Sequence, residues 1–309
     1  MVSQKRNERV LVTGGNGFVG YYVVKELRRR GYDVAVLDTA SKREDVKATY
    51  YETDLRYGLD VLKVVEDYKP TLAVHLAAVH FIPYCNQHPT ETYDVNVGGT
   101  HNLLQALAGK VKRIFLASSA AVYSPSEMPH SEMEQAWPRD IYGLTKKAME
   151  IAALSWSAST GSEIAVGRYF NMYGWGETAP HLIPVLVSQL DQEHISLGNL
   201  ETRRDFTHVK DNARATVDML EMGGNMALNL GSGVSYSAQN ILGMLAQIVG
   251  RDIPAKRDQT RMRQSDRPNL VADTTLYYIA GLNRPRIALY DGLADLVKTG
   301  VGPYLEKES

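Results

Sequence analysis

Three spaced glycines constrain this chain more than any other feature. In Val10-Leu11-Val12-Thr13-Gly14-Gly15-Asn16-Gly17-Phe18-Val19-Gly20 they fall between a short apolar run and a segment of helical period. A strand–turn–helix junction of this kind has a physical use. Gly14 permits a tight turn, Gly17 lets the backbone approach a pyrophosphate, and Gly20 lets the helix pack close to the strand. The helix N-terminus, at Phe18 and Val19, then receives the negative charge. Asp38 ends the next apolar run, 18 residues after Gly20. A carboxylate there accepts from both hydroxyls of an adenosine ribose and repels a 2′-phosphate, which predicts NAD rather than NADP. The competing reading is a glycine turn in a nucleotide-free α/β domain with Asp38 as a surface acid. The position of the glycines between strand and helix argues against it.

The rest of the first half alternates in the same way. Val10–Thr13, Asp33–Asp38, Leu72–Leu76, Arg113–Ser118 and Ile164–Tyr169 read as strands. Phe18–Arg30, Gly58–Tyr68, Thr90–Leu107 and Tyr142–Ser157 read as helices. Such alternation means βαβ units and a parallel sheet covered on both faces. After Tyr173 the pattern weakens, broken by Gly174, Gly176, Pro180 and Pro184. The expected fold is α/β, a Rossmann-type doubly wound parallel sheet with a smaller mixed α/β C-terminal substrate domain. Residues 1–174 are expected to form the NAD-binding domain, with 206–231 returning to it, and 175–309 the substrate domain.

Composition removes several function classes. Lys and Arg number 34 against 35 Asp and Glu, so there is no basic field for nucleic acid or anionic lipid. Cys85 is the one cysteine, which excludes a disulfide framework and a multi-cysteine zinc site. No run approaches the ~20 apolar residues of a membrane span, and Val10–Val12 is too short for a signal peptide. A soluble, cytoplasmic protein is expected.

Tyr142-Gly143-Leu144-Thr145-Lys146 puts a phenol and an ammonium one helical turn apart on one face. Tyr21 and Lys25 have the same spacing, so context must separate them. Tyr142 follows a strand ending Ala117-Ser118-Ser119-Ala120-Ala121-Val122-Tyr123, which delivers hydroxyls to the carboxyl edge of the sheet, where ligands bind. Tyr21 lies on the helix that carries Gly20, where its spacing is incidental. A phenol must drop about 3 pH units to act as a base near neutrality, roughly 4 kcal/mol. An ammonium at about 4 Å in an effective dielectric near 20 supplies energy of that order, and oxidised nicotinamide adds a second positive charge. The pair suits proton removal from an alcohol while NAD takes the hydride.

Further motifs extend the pattern: Asp54-Leu55, His75-Leu76-Ala77-Ala78, Asn96-Val97-Gly98-Gly99-Thr100, Arg168-Tyr169-Phe170-Asn171 and Arg204-Asp205-Phe206. With the glycine loop, Ser118–Tyr123 and Tyr142–Lys146, they make the sequence resemble the extended short-chain dehydrogenase/reductases over nearly its whole length. The group resembled is the NAD-dependent sugar-nucleotide epimerase/dehydratases. The resemblance implies that Asp54 and Leu55 flank the adenine, that Leu76, Ala77 and Ala78 line the cofactor, and that Asn96 belongs to the same cofactor site. It implies Ser119 as the hydroxyl paired with Tyr142 as base, and Lys146 as the holder of the nicotinamide ribose. Asn171, Arg204 and Arg263 are implied on the substrate diphosphate or sugar, the last through Arg263-Gln264-Ser265-Asp266-Arg267-Pro268, and Leu270 beside the sugar. Outside that context each Arg reads as a solvated surface charge.

Two departures carry information. Dehydratases of the group have Asp-Glu directly after the serine or threonine, decarboxylases a Glu at the second of those positions, and 3,5-epimerases a Cys. This chain has Ala120 and Ala121, whose methyl groups transfer no proton. The loop Val79-His80-Phe81-Ile82-Pro83-Tyr84-Cys85-Asn86 is the second. His80 and Cys85 are read as lining the substrate side of the site. A zinc set of His75, His80, Cys85 and His88 matches no common ligand spacing, so no metal is expected.

The expected activity is that of an NAD-dependent nucleoside-diphosphate-sugar epimerase, inverting C4 through a transient 4-keto sugar. A UDP-sugar is the favoured substrate, and a homodimer through Thr90–Leu107 and Tyr142–Ser157 is the family expectation. The alternatives are an oxidoreductase or atypical dehydratase on the same substrates, and a non-catalytic dinucleotide sensor. A sensor needs none of Ser119, Tyr142 and Lys146.

Overall fold

The computed structural model describes residues 8–40, 45–177, 179–259 and 267–302. They fall into two compact units, each built from several segments of chain. The first gathers the residues up to Ser124 with Glu134–Tyr169 and Ala213–Leu228. The second gathers Pro125–Met133, Phe170–Asn212 and the residues from Asn229 onward. Set beside the expected division after residue 174, a short excursion at Pro125–Met133 goes to the second unit, and the returning segment is Ala213–Leu228.

The first unit is organised by a seven-stranded sheet. Its strands are β1 (Arg9–Thr13), β2 (Asp33–Asp38), β3 (Thr49–Glu52), β4 (Leu72–His75), β5 (Arg113–Ser119), β6 (Glu163–Tyr169) and a last strand, Met226–Leu230. From edge to edge the order is Met226–Leu230, β6, β5, β4, β1, β2, β3. The pairs from β6 across to β3 are all parallel. The connection runs outward from β1 to β3 and then crosses to β4, so the carboxyl ends of β1 and β4 diverge at a topological switch point. That is the Rossmann-type doubly wound sheet. Val10, Leu11, Val12 and Leu72–Val74 are buried, as strands covered on both faces require. Thr49–Glu52 lacks an apolar signal because it is a half-exposed edge strand.

The helices of this unit are α1 (Phe18–Arg29), α2 (Gly58–Tyr68), α3 (Ile82–Gln87), α4 (Pro89–Tyr93), α5 (Gly99–Leu107) and α6 (Ile141–Thr160). One helix over Thr90–Leu107 is the sequence expectation. Instead α4 and α5 are joined by a π-helical turn, Asp94–Gly98, which inserts an extra residue and turns Asn96 into the core. The Asp140 side chain starts α6 by accepting from the Gly143 amide at 2.7 Å, and Gly161 ends it at φ 75°. Leu11, Leu37, Leu103, Leu107, Ile114 and Leu116 form one core, each burial contributing about 1.5–3 kcal/mol.

In the second unit the strand Arg203–His208 is central. It pairs with Ser235–Ser237 antiparallel, and with Asn269–Leu270 and Asn171–Tyr173 parallel. Bridges from Ser126 to Asn269 and from His130 to Ala272 bring in the excursion. Buried Asp205 accepts from the Ser232, Gly233 and Ala272 amides, which fixes the turn after residue 230 to this strand.

Candidate active site

The glycine loop opens directly from β1. Gly14 has φ 71°, and its amide donates to the Leu37 carbonyl at 2.9 Å. A Cβ on Gly20 would lie 2.0 Å from the Gly14 carbonyl oxygen. α1 thus presses against the loop with no room for a methyl group. Gly17, its N-cap, makes no side-chain cap, and no acid stands in the first turn, where Phe18 and Val19 lie. The helix N-terminus is therefore fitted to an external anion such as a pyrophosphate. Across the switch point, the Leu76 amide donates to the Thr13 carbonyl at 3.1 Å, so Leu76-Ala77-Ala78 leaves β4 against the loop. The Ala77 backbone is the nearest neighbour of a Cβ placed on Gly14.

Asp38 sits at the end of β2. Its Oδ2 accepts from the Asn16 amide at 2.9 Å and its Oδ1 from the Ala40 amide at 3.0 Å. A carboxylate has about four acceptor sites, so two contacts leave capacity for two ribose hydroxyls. These features fit NAD. Asp38→Ala is expected to weaken NAD binding and to narrow the preference over NADP. Fluorescence titrations with both cofactors check it, and equal affinity of the unmutated protein for the two would contradict the assignment. Asp54 pairs with Arg56, Oδ2 to Nη2 at 2.6 Å, which holds its carboxyl below the usual carboxylate range. Leu55 is a core side chain packed under Gly99, so only its backbone and edge remain for an adenine.

The second cluster lies at the end of β5. Ser119 caps a single 3-10 turn, Ala120–Val122, its Oγ accepting from the Ala121 amide at 3.1 Å. The same side chain hydrogen-bonds the Tyr142 phenol. Gly143 makes this approach possible, because a Cβ there would stand 2.3 Å from the Ala121 carbonyl oxygen. Lys146 Nζ donates to the Ala117 carbonyl at 2.8 Å and lies 5.7 Å from the Tyr142 ring centroid. Ser119, Tyr142 and Lys146 are therefore brought together as expected.

Burial dominates the electrostatics of this cluster. Burial pushes the Tyr142 phenol well above its ordinary value, and the Ser119 hydrogen bond only partly offsets this. Burial also brings Lys146 down to about 8, against the opposing pull of Cys85 and Glu150. A phenol held up in this way acts as a base near neutrality only with positive charge beside it, such as the Lys146 ammonium and a bound oxidised nicotinamide. Tyr21, the rival tyrosine, accepts from Lys25 Nζ at 2.6 Å and donates to Asp45 at 2.6 Å, a contact between α1 and the segment after β2.

Asn96 is wholly buried. Its Oδ1 accepts from the Val79 amide at 2.8 Å, and its Nδ2 donates to the Val79 carbonyl at 2.9 Å and to Thr145 Oγ1 at 3.0 Å. Its side chain therefore ties the loop after β4 to α6. Cys85 is also buried, its thiol directed at the Val79 carbonyl and kept protonated by burial, so it lines no open surface. His80 is exposed. His75 bridges Thr13 Oγ1 and Thr100 Oγ1, and burial holds it neutral at about 3. Among the described residues no His, Cys, Asp or Glu cluster could hold a metal.

Of the residues expected on substrate, Asn171 and Arg204 lie on neighbouring strands of the second unit. Arg204 Nη1 donates to the Arg203 and Arg267 carbonyls at 2.8 and 2.7 Å. Leu270 pairs with Arg204 in register. Arg263 lies outside the described residues. Sequence reasoning passed over Glu150, buried on α6 with Arg168 and Ser118. Its only signal was a carboxylate four residues beyond Lys146.

Comparison with known proteins gives the site its context. The family described as the NAD dependent epimerase/dehydratase family matches residues 10–231. The UDP-glucose 4-epimerase of Lactobacillus helveticus is 33% identical over 296 residues, covering 86% of this chain and 89% of that protein. The GDP-6-deoxy-D-talose 4-dehydrogenase of Aggregatibacter actinomycetemcomitans is 32% identical, covering 86% and 88%. The Thermus thermophilus UDP-glucose 4-epimerase, solved with NAD, superposes with a TM-score of 0.84 at 27% identity over 95% of this chain and 100% of that one. No helix among the described residues is long and apolar enough to cross a membrane. The chain belongs to the NAD-dependent epimerase/dehydratase family.

Proposed function

We propose that this protein is an NAD-dependent epimerase of nucleoside-diphosphate sugars, inverting C4, with a UDP-sugar as substrate. The observation that carries this reading is the Ala120–Val122 turn beside Ser119 and Tyr142. Ala120 and Ala121 are buried methyl groups. Elimination of water from a 4-keto sugar needs a base at C5 and an acid at C6, and the turn supplies neither. What remains is chemistry that needs a hydroxyl, a phenol, an ammonium and a hydride acceptor. NAD, when bound, accepts a hydride from the sugar and gives it back. Tyr142 takes the C4 hydroxyl proton, Ser119 holds that oxygen in line, and Lys146 supplies positive charge for the phenolate. Between the two half-reactions the 4-keto sugar turns about its diphosphate linkage and presents its other face. Family likeness directs the diphosphate to Asn171, Arg204 and Arg263, guanidinium donors being suited to phosphate oxygens.

Exposed Tyr93, Leu144, Ile151 and Leu154 on α4 and α6 favour pairing of two copies through these helices. The likeness to a 4-dehydrogenase supports a second reading, net oxidation of the same substrate class. One experiment separates them. Incubation with UDP-glucose, and with a panel of UDP-, GDP-, CDP-, ADP- and dTDP-sugars, should give a stereoisomer of unchanged mass and no net NADH. A product lighter by one water would overturn the epimerase reading in favour of a dehydratase, and accumulating NADH in favour of a dehydrogenase.

A further inference from the structure

Tyr142, Lys146 and Glu150 follow one another at four-residue spacing, a single stripe along α6. Glu150 ends that stripe in a buried polar knot. Its Oε1 accepts from Ser118 Oγ at 2.6 Å and from Arg168 Nε at 2.9 Å. Its Oε2 accepts from Arg168 Nη2 at 2.9 Å and from Lys147 Nζ at 3.3 Å. Arg168 Nη1 donates to Tyr123 Oη at 2.9 Å, and its guanidinium lies 5.1 Å from the Tyr123 ring centroid. The two charged side chains are only 3% and 7% exposed.

Such a pair is an expensive way to hold a helix. Two buried charges give back in attraction about what they lose in hydration, and apolar residues of similar volume often do as well or better. Apolar contacts, however, leave the helix free to settle by small rotations, whereas a forked guanidinium–carboxylate pair has one geometry. The knot joins the points where that geometry matters. Ser118 precedes Ser119, Tyr123 follows the turn that Ser119 caps, Arg168 pairs with Ser118 in the sheet, and Glu150 lies one turn from Lys146. A misplacement of about 1 Å at a reacting group can cost roughly 10²-fold in rate.

We propose that Glu150 is a positioning residue for the reaction: held by Arg168 and Ser118, it sets α6 so that Lys146 stays on the Ala117 carbonyl while Tyr142 faces Ser119. The inference rests on the function proposed above. The ionisable groups that face Lys146 are Tyr142 and Glu150 on its own helix, Cys85 from α3 and His75 from β4. Glu150 is the fixed carboxylate among them.

The test uses the full chain with NAD and the sugar nucleotide it turns over. Glu150→Gln should lower kcat by about 10–100-fold, with KM and NAD affinity within about threefold of the unmutated protein. Arg168→Lys keeps the charge and loses the fork, so it should lower kcat in the same way. The ammonium resonance of Lys146, followed by NMR, should titrate about one pH unit lower in Glu150→Gln. A folded Glu150→Gln protein with unmutated kcat, or with an unmoved Lys146 titration, overturns the proposal. So does full recovery of both kcat and melting temperature in Glu150→Leu/Arg168→Met, which would make the knot mere packing. If Glu150→Gln does not fold, Ser118→Ala decides: lowered kcat at constant KM supports the proposal, and unchanged kcat refutes it. An unmutated protein inactive on every sugar nucleotide refutes the function reading instead, and the Lys146 titration still judges this one.

Discussion

Tyr142→Phe should yield folded protein that still binds NAD but turns over about 10²–10⁴-fold more slowly, the usual worth of a positioned proton transfer. The substitution removes one oxygen from a half-buried tyrosine whose ring packing is retained. The Ser119 hydroxyl loses a partner, a cost of about 1–3 kcal/mol at most. The fold should absorb that cost, and a thermal melt checks it. Tyr21→Phe is the control. It breaks the contacts of Tyr21 with Lys25 on α1 and with Asp45 after β2, and turnover should stay within about twofold because that network moves no proton. Equal losses from both variants would show that the wrong tyrosine had been placed at the reaction.

Gly20→Ala should do the opposite: it should weaken NAD binding sharply while leaving Ser119, Tyr142 and Lys146 in place. The added methyl carbon would meet the Gly14 carbonyl oxygen at 2.0 Å and the Gly15 Cα at 2.6 Å. Both are backbone atoms of the loop and cannot swing aside as a side chain could. α1 must retreat from β1, or the loop must open. Overpacking of this kind costs typically 1–3 kcal/mol in stability, and more where backbone must shift. Either response pulls the helix N-terminus from the pyrophosphate, so the NAD dissociation constant should rise at least about 100-fold, some 3 kcal/mol. Calorimetric titration reads it directly. Unchanged affinity would mean that the loop tolerates a spacing that its geometry forbids.

The parts of the site that were legible in the sequence are those encoded over short spans. The glycine loop, Asp38 and the Tyr142–Lys146 pair each depend on a strand, a turn or one helical period, and spacing alone reports these. Ala120 and Ala121 were legible because an absent proton carrier needs no geometry. Other features were not local. Glu150 reads as an ordinary helical acid until Arg168 is seen beside it in the sheet. Asn96 reads as part of a helix until the π-helical turn swings it onto Val79. Cys85 reads as a pocket residue, yet three residues of α3 fold it inward onto the same carbonyl. Thr49–Glu52 shows no alternation because Tyr50 and Tyr51, on opposite faces of this edge strand, are both half-buried.

The discontinuity of the two units governs the order in which the chain can assemble. β6 has one neighbour, β5, until Met226–Leu230 has been synthesised, and Pro125–Met133 waits still longer for its bridges to Asn269 and Ala272. For the whole of that interval β6 presents an unpaired apolar edge, the usual template for association with another chain. A truncation after residue 174, the natural choice from the glycine-loop pattern, would make that interval permanent. The nucleotide-binding half is therefore not a portable module. Its last strand is supplied only after the polypeptide has passed through the other unit.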